Sequence, residues 1–236
     1  MDVYQQLQKA YDSFYLGPDG KDKLLKGKVR IEKALIDRSL DTALGLNLIA
    51  KLPKENSQEV EEKFYQPLKK IIPHQYFYPL SDLHITFLDI LPHRENFKIN
   101  DKELEQYLRV FDDFFAGMSS FEVEFTGVLA TAMGVGLRGF PVKNKLNDLR
   151  GQLRNKIVDA GLRNEEERKY RLESAHISCV RFIKLITPAV GKKLVEFIEQ
   201  NEETMFTKAK FSLVLLNISG RFDKTEKIQI IKEYRF

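Results

Sequence analysis

Two short stretches, His84-Ile85-Thr86-Phe87 and His176-Ile177-Ser178-Cys179, repeat one pattern: a histidine, an aliphatic residue, a hydroxyl residue, an apolar residue. The chain has only four histidines, so half of them carry it. From average composition, a given histidine has about a two per cent chance of being followed in this way. Each stretch lies in an apolar run that reads as a strand, at 83–91 and 174–183. Side chains alternate faces along a strand, so His84 and Thr86 share one face and His176 and Ser178 share another. Ile85 and Ile177 then point into the core behind them, and each strand offers one imidazole and one hydroxyl.

The surroundings of the two stretches repeat as well. Leu46, Leu48, Ala50 and Leu52 alternate as in a strand, Val60, Phe64, Leu68 and Ile71 give a helical stripe, and the first histidine strand follows. Further on, a strand over 134–142 precedes the helical stripe of Leu146, Leu149, Leu153 and Ile157, which runs to Gly161 as its C-cap and leads to the second histidine strand. Leu46 stands about as far before His84 as Val135 stands before His176. Two β-α-β lobes related by an approximate two-fold axis are therefore expected, with the two histidine strands lining a shared groove.

The remaining pattern gives a helix through Leu104, Leu108, Phe111 and Phe115, a strand from Phe121, and a helix through Val190, Leu194, Phe197 and Ile198. Final strands are predicted at 209–218 and 227–236. Ahead of the duplicated part, Val3, Leu7, Ala10, Tyr11 and Phe14 predict an amphipathic helix ending at Gly17-Pro18-Asp19-Gly20, and Ile31, Leu35, Ala43 and Leu44 suggest a second helix. The fold class is α+β, with an N-terminal helical extension over 1–43 and a bilobal domain over 44–236.

With 236 residues, of which 43% are hydrophobic and 31% charged, the chain can build a sizeable core. No apolar run reaches bilayer-spanning length and the first residues lack a secretory pattern, so a cytoplasmic monomer without membrane contact is expected. A single cysteine, Cys179, excludes an internal disulfide and a cysteine-based zinc site. The net charge of +4 permits an anionic partner such as RNA or a nucleotide without requiring one. Met133-Gly134-Val135-Gly136 lacks the spacing and lysine of a phosphate-binding loop.

Paired imidazoles suit phosphodiester chemistry. In-line displacement at phosphorus needs a base for the attacking oxygen and an acid for the leaving oxygen opposite, and imidazole titrates near neutrality. His84 and His176 are the candidate catalytic pair. The hydroxyls of Thr86 and Ser178 can donate to the non-bridging oxygens, so neither metal nor cofactor is expected. Arg138, between Gly136-Leu137 and Gly139, is a candidate phosphate ligand through its guanidinium fork. Strict alternation turns Arg181 to the face of Ile177, away from His176, and predicts a structural pairing for it. Tyr76, Phe77 and Tyr78 precede the first motif; Phe77 and Tyr78 are candidates for stacking on a base. His74 and His93 lack a hydroxyl partner and are expected on the surface or in loops.

At these motifs the sequence resembles the 2H phosphoesterase superfamily, named for two His-x-Ser/Thr motifs, and more closely its bacterial RNA 2′,3′-cyclic phosphodiesterases and 2′-5′ RNA ligases. The resemblance runs from about Gly45 to Phe236 and takes in Gly127-Val128, Leu137-Arg138-Gly139-Phe140-Pro141, Leu146-Asn147-Asp148-Leu149-Arg150, Tyr170-Arg171 and Ala175 to Phe182. It implies a bilobal α+β fold with a central groove, a metal-free phosphodiesterase acting on 2′,3′-cyclic phosphate ends, His84 and His176 as catalytic positions, and Thr86 and Ser178 as phosphate ligands. Cleavage or ligation of 2′-5′ linkages and a non-catalytic RNA-binding module are the alternatives.

Overall fold

The computed structural model describes residues 3–165, 172–220, 222 and 228–236. Strand β1 (Leu44–Lys51) pairs antiparallel with β3 (His84–Arg94) on one side and β8 (Leu213–Ser219) on the other. With β9 (Gln229–Arg235) they form a four-stranded sheet, ordered β3-β1-β8-β9. The second sheet has five strands in the order β2-β6-β5-β4-β7. Its members are β2 (Tyr76–Phe77), β4 (Phe121–Thr131), β5 (Gly134–Pro141), β6 (Ile177–Arg181) and β7 (Met205–Phe211). Each histidine motif therefore belongs to a different sheet, His84 opening β3 and His176 standing just before β6. The two expected β-α-β units are present, and the fold is bilobal α+β.

The connecting helices cross over between the lobes. The long helix after β1 consists of α4 (Lys54–Val60), a π-helical stretch Glu61–Tyr65, and α5 (Gln66–Ile71). It packs against the five-stranded sheet: Phe64 meets Phe206 of β7 edge-on at 5.2 Å, and the Tyr65 hydroxyl sits 2.9 Å from the Tyr78 carbonyl and 3.1 Å from that of Cys179. Helix α6 (Asp101–Ala116) starts at Asn100, whose side chain accepts from Glu103 N–H at 2.9 Å, and lays Phe115 on Tyr234 of the four-stranded sheet. Helix α7 (Lys145–Asp159) leaves β5 to pack beside α6 and β3, and its chain turns off at Gly161, where φ is 69° and Leu162 N–H reaches back to Ile157 O at 3.0 Å. Helix α8 (Pro188–Gln200), capped by Thr187, joins α5 behind the five-stranded sheet. One hydrophobic core runs through both lobes.

The N-terminal segment departs from expectation after its first helix. Helix α1 (Val3–Leu16) forms as read, but 31–44 holds only α3 (Lys33–Ile36) and a single 3-10 turn at Arg38–Leu40, after the short α2 (Lys21–Leu25). Leu44 already belongs to β1; the apolar residues of this stretch are too sparse to bury a helical face. Helix α1 lies on the face of β4 and β5 that carries Leu129 and Phe140, where Leu7, Tyr11 and Phe140 form a satellite cluster. The run 209–218 is two strands, β7 and β8, placed in different sheets, and β2 was not foreseen. No described helix is long and apolar enough to cross a membrane.

Candidate active site

His84 enters its strand from a 3-10 turn, Leu80–Asp82, which places the Asp82 carbonyl 2.7 Å from its Nδ1. A carbonyl can only accept, so Nδ1 carries the proton and Nε2 is the ring's reactive nitrogen. Ile85 and Phe87 are buried as alternation requires, leaving His84 and Thr86 half-buried on the opposite face. Burial lowers the His84 pKa below 6.5, with Lys51, its partner across β1, adding to the shift and the Asp82 carbonyl opposing it.

On the other lobe His176 is likewise half-buried, its Nδ1 3.1 Å from the Ser174 hydroxyl. Its pKa is pushed down to about 4, first by burial and then by the positive charges of Arg181, Arg150 and His84. His84 is the smallest of these influences, and β3 and β6, strands of separate sheets, lie in contact. Cys179 is fully buried, and burial raises its thiol pKa, which makes it inert packing.

Two arginines organise this site, and neither was among the expected phosphate ligands. The β5–β6 register steps from Val135↔Val180 to Gly136↔Ser178, so two residues of β6 oppose one of β5. That bulge returns Arg181 to the face of Ser178, correcting the expectation that it points away from His176. Its Nη2 lies 3.4 Å from Ser178 Oγ, and its guanidinium lowers the pKa of the otherwise burial-raised Tyr78 phenol. Arg150 of α7 is completely buried. Its Nε donates to Phe87 O at 2.8 Å, Nη2 to Thr86 O at 2.6 Å and Ser174 O at 3.0 Å, and Nη1 to Asn147 at 2.8 Å. One guanidinium thus ties the first motif to the residues leading into the second. The signal for it was present: Leu146, Arg150, Leu153 and Ile157 are the buried stripe of α7, with a charge where the helical period calls for an apolar side chain.

Other candidates fall differently. Arg138 faces the same side of its sheet as His176 but is covered by α1, only 2% exposed, with Nε donating to Val128 O at 3.0 Å and Nη1 paired with Asp12 at 3.1 Å. This commitment to Asp12 makes it a structural residue. Phe77 turns toward Tyr65, ring centroids 5.2 Å apart, and does not face the groove; Tyr78 stands edge-on to Tyr76 at 5.1 Å, beside Arg181. Arg38 sits 5.9 Å over the Tyr76 ring. His74 is exposed in a turn, whereas His93 is a half-buried member of β3 and not a loop residue. Tyr170 and Arg171 lie outside the described residues.

A hydroxyl from helix α1 reaches the site's edge. Tyr11 Oη donates to Gly139 O at 2.9 Å and accepts from Gly139 N and Ala175 N, both at 3.2 Å. Ala175 immediately precedes His176, so the N-terminal helix helps to hold the segment that carries this histidine.

Two sheets, each carrying one His-x-Ser/Thr segment, and helices that pack across them make up a bilobal α+β fold that solved structures share. Known structures with this fold include a conserved protein of unknown function from Agrobacterium tumefaciens, matched with a TM-score of 0.61 at 14% identity over 89% of this chain and 96% of that one. A crystal structure of a phosphoesterase is matched with a TM-score of 0.54 at 13% identity, covering 82% of this chain and 98% of its own. LigT of E. coli, crystallised with 3′-AMP, is matched with a TM-score of 0.53 at 13% identity over 82% and 98% of the two chains. No protein-family model and no curated protein sequence matches this chain.

Proposed function

We propose that the protein is a metal-independent phosphodiesterase that opens 2′,3′-cyclic phosphates at the ends of RNA or nucleotides. The observation that supports this reading is the pair of half-buried imidazoles carried by two His-x-Ser/Thr segments at β3 and β6, strands of separate sheets that lie in contact. Likeness to LigT, which holds 3′-AMP in its crystal, supports a phosphorylated ribose as the bound end.

The charges around the two rings favour distinct roles. His176, kept neutral by burial and by two guanidinium groups, suits the base: its Nε2 takes a proton from water as the water oxygen bonds to phosphorus. His84, whose Nδ1–H rests on the Asp82 carbonyl, suits the acid: when protonated, its Nε2–H passes to the ribose oxygen as the P–O bond breaks. The product is a phosphomonoester with one free ribose hydroxyl. Thr86 and Ser178 donate to the non-bridging oxygens, and Arg181 supplies the positive charge that balances the phosphate.

The test is turnover of a 2′,3′-cyclic nucleotide panel in the presence of EDTA by the wild type, His84→Ala and His176→Ala. Activity that survives the chelator and falls by about 10²- to 10⁴-fold in each variant is expected. Full turnover in both variants would show that another group does the chemistry.

A further inference from the structure

The concave face of the five-stranded sheet is only half open, because α1 occupies the part over β4 and β5. Between α1 and the second motif lies a cavity of about 170 Å³ bordered by Tyr11, Phe14, Met133, Gly136, His176 and Ser178. It is smaller than the roughly 300–1,000 Å³ of pockets that enclose whole ligands, so it fits one group of a larger molecule. Its lip is apolar and exposed: Phe14 is 48% and Met133 43% accessible. Gly134 and Gly136 of β5 border it where the Val180 and Ile177 carbonyls of β6 approach too closely for a side chain on β5.

Met133 also borders a second, more open basin of about 580 Å³ formed with Lys23, Lys28, Arg30, Asp19 and Ala132. Lys23 pairs with Asp19 there, whereas Lys28 and Arg30 are exposed and make no ion pair among the described residues. This ledge is built by the segments on either side of α2, which are clamped to the β4–β5 turn by Arg30 N–H to Ala132 O at 2.8 Å and Ala132 N–H to Asp19 O at 2.5 Å. The order outward from His176 is thus a reacting phosphate site, an apolar slot with an exposed aromatic, and a positive ledge.

In a nucleic-acid strand each ribose carries a base to one side and phosphates on its 3′ and 5′ sides, so these three surfaces match the groups of one terminal nucleotide. We infer that the N-terminal segment extends the groove into a single-strand track, with the slot taking the base of the terminal nucleotide and Lys28 and Arg30 taking the next phosphate. The substrate class is then an RNA 3′ end of two or more nucleotides, in preference to a free cyclic mononucleotide. Base stacking on Phe14 supplies sequence-tolerant affinity, and the two cations supply salt-dependent affinity. The inference rests on the phosphodiesterase reading above but can fail separately from it.

The experiment compares kcat/KM for a 2′,3′-cyclic mononucleotide and for a cyclic-ended tetranucleotide in the wild type, Phe14→Ala and the double variant Lys28→Glu/Arg30→Glu. Because all three positions are exposed, folding is not at stake. Wild-type preference for the tetranucleotide of about tenfold or more is expected, with that preference falling at least fivefold in the double variant. Phe14→Ala is expected to raise KM for both substrates by about fivefold or more. A wild type without preference, or a preference unchanged by charge reversal, overturns the track. If the wild type turns over neither substrate, the phosphodiesterase reading has failed, and anisotropy of a fluorescein-labelled, 3′-phosphorylated tetranucleotide then decides the track alone: binding as tight in the double variant as in the wild type rejects it.

Discussion

In the proposed role of base His176 has to be neutral, and its surroundings favour that state, since a pKa lowered from 6.5 to about 4 disfavours its charged form strongly. His84 is lowered as well. In the free enzyme both groups therefore titrate on the acid side of 6.5, and the reactive state needs one protonated and one neutral. The bell-shaped profile of kcat/KM, whose limbs belong to the coupled pair, is expected to peak between about pH 4 and 6.5. A bound phosphate anion stabilises both charged forms, so the kcat profile is expected to lie at higher pH than that of kcat/KM. Steady-state rates over pH 4 to 9 check this, and a kcat/KM optimum above pH 7 would contradict the environments described for these rings. At this scale the sequence was informative where the strand period held: Ile85, Phe87, Ile177 and Cys179 are all buried, which leaves each histidine and hydroxyl on the open face. It misled at Arg181 because a bulge between Val180 and Ser178 adds a residue that strict alternation cannot see.

Helix α1 is an element whose existence was legible and whose purpose was not. Its apolar spacing announced an amphipathic helix, but nothing in that spacing names the surface it covers. The structure puts it over Arg138, which explains why a guanidinium on the histidine face of its sheet is no phosphate ligand: Asp12 arrives with the helix and neutralises it. Tyr11 is the anchor, through its bonds to both backbone groups of Gly139 and to Ala175 N. Tyr11→Phe leaves those buried groups without that partner at unchanged packing volume, so a loss of about 1–3 kcal/mol is expected, with Tm falling by about 2–4 °C for each kcal/mol. Catalysis is expected to suffer in kcat, since the freed segment leads directly into His176. Tyr4→Phe, at a half-exposed ring that stacks on Phe140, is the matching control and is expected to leave Tm unchanged. Equal Tm values for the two variants, by differential scanning fluorimetry, would remove Tyr11 as an anchor. Elsewhere the elements were hard to read for local reasons: the run 209–218 carries no Gly, Pro, Asn or Asp before Asn217 to mark the passage at Ser212 from one sheet to the other, and β2 is only two residues long.

Over the whole molecule, the duplication visible in the sequence fixes two lobes but says nothing of how they are joined. The joining is an exchange: the helix that leaves β1 lies behind the five-stranded sheet, and α7, leaving β5, lies beside β3 of the four-stranded one. Each motif strand is thereby braced by a helix from the opposite lobe, Tyr65 meeting the Cys179 carbonyl and Arg150 meeting those of Thr86 and Phe87. Neither lobe keeps its core if the other melts, because the exchanged helices belong to one continuous hydrophobic cluster. Urea unfolding is therefore expected to be a single transition by both tyrosine fluorescence and far-UV circular dichroism, although the chain exceeds the size at which two-state behaviour is usual. Arg150→Ala tests the joint itself. β3 is an edge strand, so its outward carbonyls have no ladder partner, and removing the guanidinium leaves the Thr86 and Phe87 oxygens of the first motif and the Ser174 oxygen ahead of the second short of a donor. A loss of about 3–5 kcal/mol with little change in the urea slope is expected. Arg150→Lys is expected to recover little of it, because a single ammonium cannot span the β3 carbonyls and that of Ser174, which the planar fork reaches together. Turnover is expected to fall with stability in both variants, since the same bonds set the spacing of His84 and His176. Two separate unfolding transitions, or an Arg150→Ala cost below about 1 kcal/mol, would mean that the lobes hold their own shape and that the groove is aligned by packing alone.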